Sequence, residues 1–162
     1  MRLLFVCTGN ICRSPTAEGV LRRLAHAASL DVEVDSAGLG DWHRGDAPDP
    51  RTVRHALARG YDLTSLRARQ LGAADFAFFD RLYAMDQGHL RELRRLAPAP
   101  HRAKVSLFLD VLPASPDDAR PGREVPDPYY GGAEGFEQVL DLVEAGCRAI
   151  VAELAAARAA RR

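Results

Sequence analysis

Short apolar runs alternate along this chain with longer segments in which apolar residues recur at helical spacing. Strands are predicted at residues 2–6, 31–36, 81–84 and 105–109, and helices at residues 15–28, 50–59, 86–96 and 133–157. Strands that alternate with helices favour right-handed crossovers and a parallel sheet. We therefore expect an α/β fold in which residues 1–162 form a single doubly wound domain, a four-stranded parallel sheet flanked by helices on both faces. The proline-rich stretch 113–130 is predicted to be irregular.

The size and charge of the chain limit its expected partners. At 162 residues it has room for one core, and 22 Lys and Arg residues balance 22 Asp and Glu residues. Because there is no basic excess, the attraction that drives nonspecific binding to nucleic acids or anionic membranes is missing, and we expect neither partner. The sequence has no apolar run long enough to cross a membrane and no signal-peptide pattern, which predicts a cytoplasmic protein.

The loop after the first predicted strand carries the first candidate site. In doubly wound folds, ligands bind at the carboxyl ends of the strands, and the backbone N–H groups of a loop that opens a helix can surround an anion. Cys7 begins this loop and Arg13 ends it. A thiol at a helix N-terminus or beside a cation ionises more readily than a free one, so Cys7 is the predicted nucleophile. Arg13 can bind two phosphate oxygens at once through its planar guanidinium.

Three other residues of this loop suit an anion cradle. Gly9 lets the backbone approach a ligand closely, and Asn10 tolerates the left-handed conformation that a tight loop needs. Ser14 is predicted to cap the first helix before Pro15, with its hydroxyl also in reach of the Cys7 thiolate.

A second motif supplies a carboxyl group. If a cysteine attacks a phosphate ester, the leaving oxygen needs a proton from a positioned acid. Asp127 lies between Pro126 and Pro128, which restrict its backbone and present its carboxyl group from a loop. It is the predicted general acid. Asp86 follows the third predicted strand near the functional edge of the sheet, and we interpret it as a helix N-cap.

Together, the segments 6–15 and 127–130 closely resemble the low-molecular-weight protein tyrosine phosphatases. The resemblance implies hydrolysis of phosphotyrosine through a cysteinyl-phosphate intermediate, with Cys7, Arg13 and Asp127 as catalytic residues and with no metal or other cofactor. It also implies tyrosine-phosphorylated protein partners, such as a bacterial tyrosine kinase, and a monomer. The expected substrate-binding residues are Thr8, Gly9, Asn10, Ile11, Cys12, Ser14, Trp42, Tyr129 and Tyr130.

Three alternatives remain open. Arsenate reductases of this fold relay a disulfide through further cysteines, and none lies between Cys12 and Cys147. Protein arginine phosphatases resemble the first motif but carry threonine in place of Ile11 and lack the paired tyrosines. A noncatalytic phosphate-binding module would retain the loop without turnover.

Three further residues raise separate questions. Many relatives have a histidine where Leu66 stands, so the support of Asn10 is an open question. Cys12 either packs within the loop or forms a reversible disulfide with Cys7. Cys147 is predicted to lie in the core. The five histidines of the chain lack metal-ligand spacing, and we expect no metal.

Overall fold

Four parallel strands form the centre of the fold. The structure, a computed structural model, describes residues 1–114 and 123–161, so residues 115–122 of the predicted irregular stretch lie outside the described residues. The strands are β1 (Arg2–Cys7), β2 (Glu33–Gly38), β3 (Arg81–Ala84) and β4 (Val105–Leu107). Their order in the sheet is β2-β1-β3-β4, and every neighbouring pair is parallel. The predicted α/β fold class with its four-stranded parallel sheet is confirmed.

The helices cover both faces of this sheet. The α-helices are α1 (Arg13–Ala27), α2 (Pro50–Ala58), α3 (Ala73–Phe78), α4 (Gln87–Leu96) and α5 (Ala133–Ala159). Two 3₁₀ helices flank β4, at Ala99–Lys104 and Phe108–Val111. No helix in the described part of the chain is both long enough and apolar enough to span a bilayer.

Alternation along β1 divides the buried side chains between two clusters. Leu3 and Phe5 pack in one cluster with residues of α1 and α5, whereas Leu4 and Val6 pack in the other with residues of α3 and α4. Successive side chains of a strand point to opposite faces, so a strand that is apolar throughout is buried on both. The sheet thus keeps its faces under helices and leaves the carboxyl ends of its strands for a site.

Several boundaries differ from the predictions. Helix α1 begins two residues early, at Arg13, and Cys12 occupies the N-cap position without a side-chain cap, so the prediction of Ser14 as N-cap is wrong. The early start places Ser14 within the first turn, where its hydroxyl can bond to loop side chains instead. Helix α3 was not predicted because six residues are too few to establish a helical period. The strand predicted at 105–109 ends at Leu107, where a 3₁₀ helix begins.

The close packing of α5 on Phe108 gives a stability prediction. A methyl group added at Gly146 would lie 2.5 Å from Cζ of the fully buried Phe108 ring. We expect Gly146→Ala to lower the free energy of unfolding by about 1–3 kcal/mol, because overpacking a dense core forces neighbours to shift. Gly135→Ala, in the same helix, is the control, since its methyl group would lie 3.7 Å from Pro128. Urea unfolding of both variants measures the difference, and equal midpoints would contradict the prediction.

Candidate active site

The loop between β1 and α1 begins with Cys7 at the carboxyl end of β1. Cys7 is the last residue of the strand, its side chain is buried, and its Sγ lies 2.9 Å from the hydroxyl oxygen of Ser14. Asn10 has a φ of 58°, the left-handed conformation expected from the sequence. The left-handed residue lets the chain turn from a strand directly into a helix.

Hydrogen bonds to neighbouring segments orient the peptide groups of this loop. The carbonyl oxygens of Cys7, Thr8 and Ile11 accept from the backbone N–H groups of Leu39, Gly40 and Asp49 respectively. In a planar trans peptide the C=O and N–H bonds point in opposite directions. The amide hydrogens of the residues that follow these three carbonyls therefore point away from the neighbouring segments. Such an array of fixed N–H groups can bind an anion.

The loop forms one wall of a cavity of about 240 Å³. The structure brings together here the three predicted catalytic residues and most of the predicted substrate-binding residues. The lining residues are Cys7, Thr8, Gly9, Ile11, Cys12, Arg13, Trp42, His43, Asp127, Tyr129 and Tyr130. Asn10 and Ser14 do not line the cavity but are buried beside the loop. Sequence reasoning missed His43, although its position next to Trp42 was an available signal.

Arg13 is held in place from behind. Only 4% of its surface is exposed, and its Nη1 donates to Oδ2 of Asp86 at 2.8 Å and to the carbonyl oxygen of Val125 at 3.2 Å. Its Nη2 lies 3.7 Å from Oδ2 of Asp127. With these partners the guanidinium is fixed at the cavity wall rather than directed to solvent.

Asp86 has two roles, of which sequence reasoning identified one. Its Oδ1 caps α4 by accepting from the backbone N–H of His89 at 2.8 Å, which confirms the predicted N-cap, and its Oδ2 accepts from Arg13. Burial acts to raise the pKa of Asp86, but the hydrogen bonds from His89 and Arg13 hold that pKa below its usual range. Asp86 is therefore an ionised carboxylate that orients Arg13. Its place directly after a predicted strand, at the edge of the sheet where ligands bind, was the available signal.

A buried hydrogen-bond network supports Asn10 without a histidine at position 66. The Asn10 amide donates to the hydroxyl oxygens of Ser14 at 2.8 Å and Ser36 at 2.9 Å, and its carbonyl oxygen accepts from the backbone N–H of Arg69 at 3.0 Å. Ser36 in turn donates to the buried carboxyl group of Glu18 at 2.5 Å. Burial raises the pKa of Glu18 above its usual value, although the hydrogen bond from Ser36 acts to lower it. These contacts answer the question that Leu66 raised.

Asp127 and the aromatic residues form the outer part of the cavity. Oδ1 of Asp127 accepts from the backbone N–H of Tyr129 at 3.0 Å, which leaves Oδ2 directed towards Arg13. Trp42 is 72% exposed and Tyr130 is 90% exposed, so both lie on the rim rather than in the core. Tyr129 packs edge to face on Tyr130, with ring centroids 5.0 Å apart. An entrance with exposed rings can bind a flat aromatic group.

The three cysteines lie in different environments, and all are free thiols. Burial raises the pKa of Cys12 to about 12 although the side chain of Thr52 acts in the opposite direction. Cys12 is therefore a neutral thiol within the loop. Cys147 is fully buried among core residues of α5, and burial raises its pKa further. Within the described ranges, no cluster of three or more His, Cys, Asp or Glu side chains could hold a metal ion.

Comparisons with known proteins match almost the whole chain. The family model described as "Low molecular weight phosphotyrosine protein phosphatase" matches residues 2–160. A low molecular weight protein-tyrosine-phosphatase of Streptomyces coelicolor is 49% identical over 93% of this chain and 92% of its own length. A protein tyrosine phosphatase of Entamoeba histolytica has a similar crystal structure, with a TM-score of 0.88 at 36% identity over 98% of this chain and 99% of that one. An arginine phosphatase of Drosophila is also similar, with a TM-score of 0.84 at 33% identity over 94% and 97% of the two chains.

Proposed function

Because the chain belongs to the low molecular weight phosphotyrosine protein phosphatase family, we propose that it hydrolyses phosphotyrosine in proteins through a phosphorylated Cys7. One observation carries the proposal: Cys7, Arg13 and Asp127 line the same cavity, although Asp127 is far from the other two in sequence. Residues 1–162 act as one catalytic unit, since every group that the reaction uses comes from this chain. A single copy of the chain is therefore sufficient for catalysis, and we propose that the enzyme is a monomer.

In the first step, the thiolate of Cys7 attacks phosphorus in line with the leaving phenolate oxygen. The S–P bond forms as the P–O bond to the tyrosine breaks, and Asp127 gives its proton to the leaving oxygen. Arg13 and the loop N–H groups bind the three remaining oxygens, whose charge spreads in a loose transition state. Asp86 keeps the guanidinium at this place because it accepts from Nη1 and leaves Nη2 facing the cavity.

In the second step, water attacks the phosphorus of the cysteinyl phosphate. Asp127, now ionised, accepts a proton from that water, the S–P bond breaks, and the electron pair returns to Cys7 as a thiolate. Inorganic phosphate then leaves. The hydroxyl of Ser14, 2.9 Å from Sγ, can donate to the thiolate in both steps and stabilise it as nucleophile and as leaving group.

The shape of the cavity supports tyrosine-phosphorylated proteins as the substrates. Cys7 is buried at its base, whereas the rings of Trp42 and Tyr130 stand at the rim. A phosphate on an aromatic ring can reach the base while its ring packs against these side chains, which a short phosphoserine cannot do. A tyrosine kinase that is itself phosphorylated on tyrosine is an example of such a substrate. A nucleophilic thiol must stay reduced, which favours the cytoplasm.

A comparison of three substrates tests the proposed function. We expect kcat/KM for a phosphotyrosine peptide to exceed that for the matched phosphoserine peptide by at least about 100-fold, because only the aryl ester reaches Cys7 with its ring in contact with the rim. Phosphoarginine is the third substrate, since an arginine phosphatase shares this fold. Faster release of phosphate from phosphoarginine than from phosphotyrosine would contradict the proposal and would identify phosphoarginine as the substrate. A lack of turnover with all three would indicate a binding module.

A further inference from the structure

A buried histidine contacts the phosphate loop from outside the catalytic set. His89 lies in the first turn of α4 and is 4% exposed. Its Nε2 lies 2.8 Å from the hydroxyl oxygen of Thr8, 81 positions away in sequence. Thr8 directly follows Cys7, and none of the proposed chemical steps uses His89. A buried polar side chain with a hydrogen-bond partner in a catalytic loop therefore needs an explanation.

The start of α4 contacts both ends of the loop. Asp86 at the N-cap accepts from Arg13, the last loop residue, and His89 bonds to Thr8, near the first. The two are also joined to each other, because Oδ1 of Asp86 accepts from the backbone N–H of His89. One helix end thus contacts two points of the loop that are five residues apart.

The charges around the ring decide which of its nitrogen atoms donates. Burial and the nearby Arg13 lower the pKa of His89 to about 4, so the ring is neutral and carries one proton. Nδ1 lies 3.2 Å from Oδ1 of the ionised Asp86, outside good hydrogen-bond alignment but within its field. A carboxylate favours the proton on the nearer nitrogen, Nδ1. Nε2 is then an acceptor, and the Thr8 hydroxyl donates to it.

We propose that His89 is a positioning residue. It holds Thr8, and with Thr8 the first backbone N–H groups of the loop, at the position where these groups bind the oxygens of the transition state. The inference rests on the proposed function. Donors that are aligned for the transition state affect kcat more than substrate binding. The loss of the His89–Thr8 contact should therefore lower kcat and kcat/KM equally and leave KM nearly unchanged.

Paired variants on both sides of the contact test this role. His89→Leu and Thr8→Val remove the hydrogen bond, whereas His89→Gln and Thr8→Ser retain polar groups that can restore it. With p-nitrophenyl phosphate, and with kcat expressed per folded protein, we expect the first two variants each to lower kcat about tenfold. The second two should stay within about threefold of the wild type. The double variant His89→Leu/Thr8→Val should be no slower than the slower single variant, because both remove one interaction.

If His89 only stabilised the fold, its loss would lower stability and leave the kcat of the folded enzyme unchanged. Leu93→Ala is the control for such an effect. It truncates another buried residue of α4, in the cluster with Leu4, and should lower stability but leave that kcat unchanged. Wild-type kcat in Thr8→Val would overturn the proposal, and so would multiplied effects in the double variant. Thr8 is exposed, so Thr8→Val remains a test even if His89→Leu does not fold. Failure of the wild type to hydrolyse any aryl phosphate would instead contradict the proposed function.

Discussion

Replacing Cys7 by serine should abolish turnover of phosphotyrosine while the protein still binds phosphate. Serine keeps the position and the contact with Ser14, 2.9 Å away, but its hydroxyl does not ionise near neutral pH. The loop contains no general base that could activate a hydroxyl in place of the thiolate. We expect kcat to fall by at least about 10⁴-fold. Steady-state assays with phosphotyrosine, with continuous detection of released phosphate, measure this loss.

The binding half of this prediction separates chemistry from folding. Loss of the thiolate removes a negative charge from the cavity, so a phosphate dianion should bind the variant as tightly as the wild type, or more tightly. Isothermal titration with inorganic phosphate measures the two dissociation constants. Cys147→Ala, which changes a core cysteine of α5 outside the cavity lining, is the control and should keep its turnover. Residual turnover above about a hundredth of the wild-type rate in Cys7→Ser would show that another group attacks phosphorus.

Replacing Asp127 by asparagine should slow the reaction by roughly 10²–10⁴-fold with phenyl phosphate. Asparagine keeps the shape of the side chain and an oxygen that can accept from the N–H of Tyr129, but it cannot give a proton to the leaving oxygen. The penalty should shrink with 2,4-dinitrophenyl phosphate, because that phenolate leaves readily without protonation. A plot of log kcat/KM against the pKa of the leaving phenol should therefore be steeper for the variant than for the wild type.

The control for Asp127→Asn is Asp62→Asn. Asp62 is also exposed, and its Oδ1 also accepts from the backbone N–H two residues later, that of Thr64 at 2.9 Å. It lies outside the cavity lining, so the control should keep wild-type kinetics. A variant Asp127→Asn with wild-type rates for every leaving group would assign the proton transfer to another residue. Asp86 is a poor candidate for that role, since its carboxylate is ionised and bonded to Arg13.

Local patterns in the sequence were sufficient to predict much of this protein. The alternation of strands and helices predicted the parallel sheet, because each element follows from the periodicity of its own apolar residues. The segment from Cys7 to Arg13 predicted an anion loop because its residues are neighbours in the chain. The left-handed conformation of Asn10 also followed from residue type alone. The start of α1 and the end of β4 were predicted less accurately, because local periodicity does not mark where tertiary contacts begin or end an element.

Contacts between distant residues were decided only by the tertiary structure. Asp86 was predicted as a helix cap, and its bond to Arg13 spans 73 positions; the contact between Thr8 and His89 spans 81. Side chains at such separations meet only because β3 lies beside β1 in the sheet and both strands end at the same edge. No residue pattern within a short window contains that information. The sequence by itself thus determined which groups can carry the chemistry, and the order of the strands determined which side chains hold those groups in place.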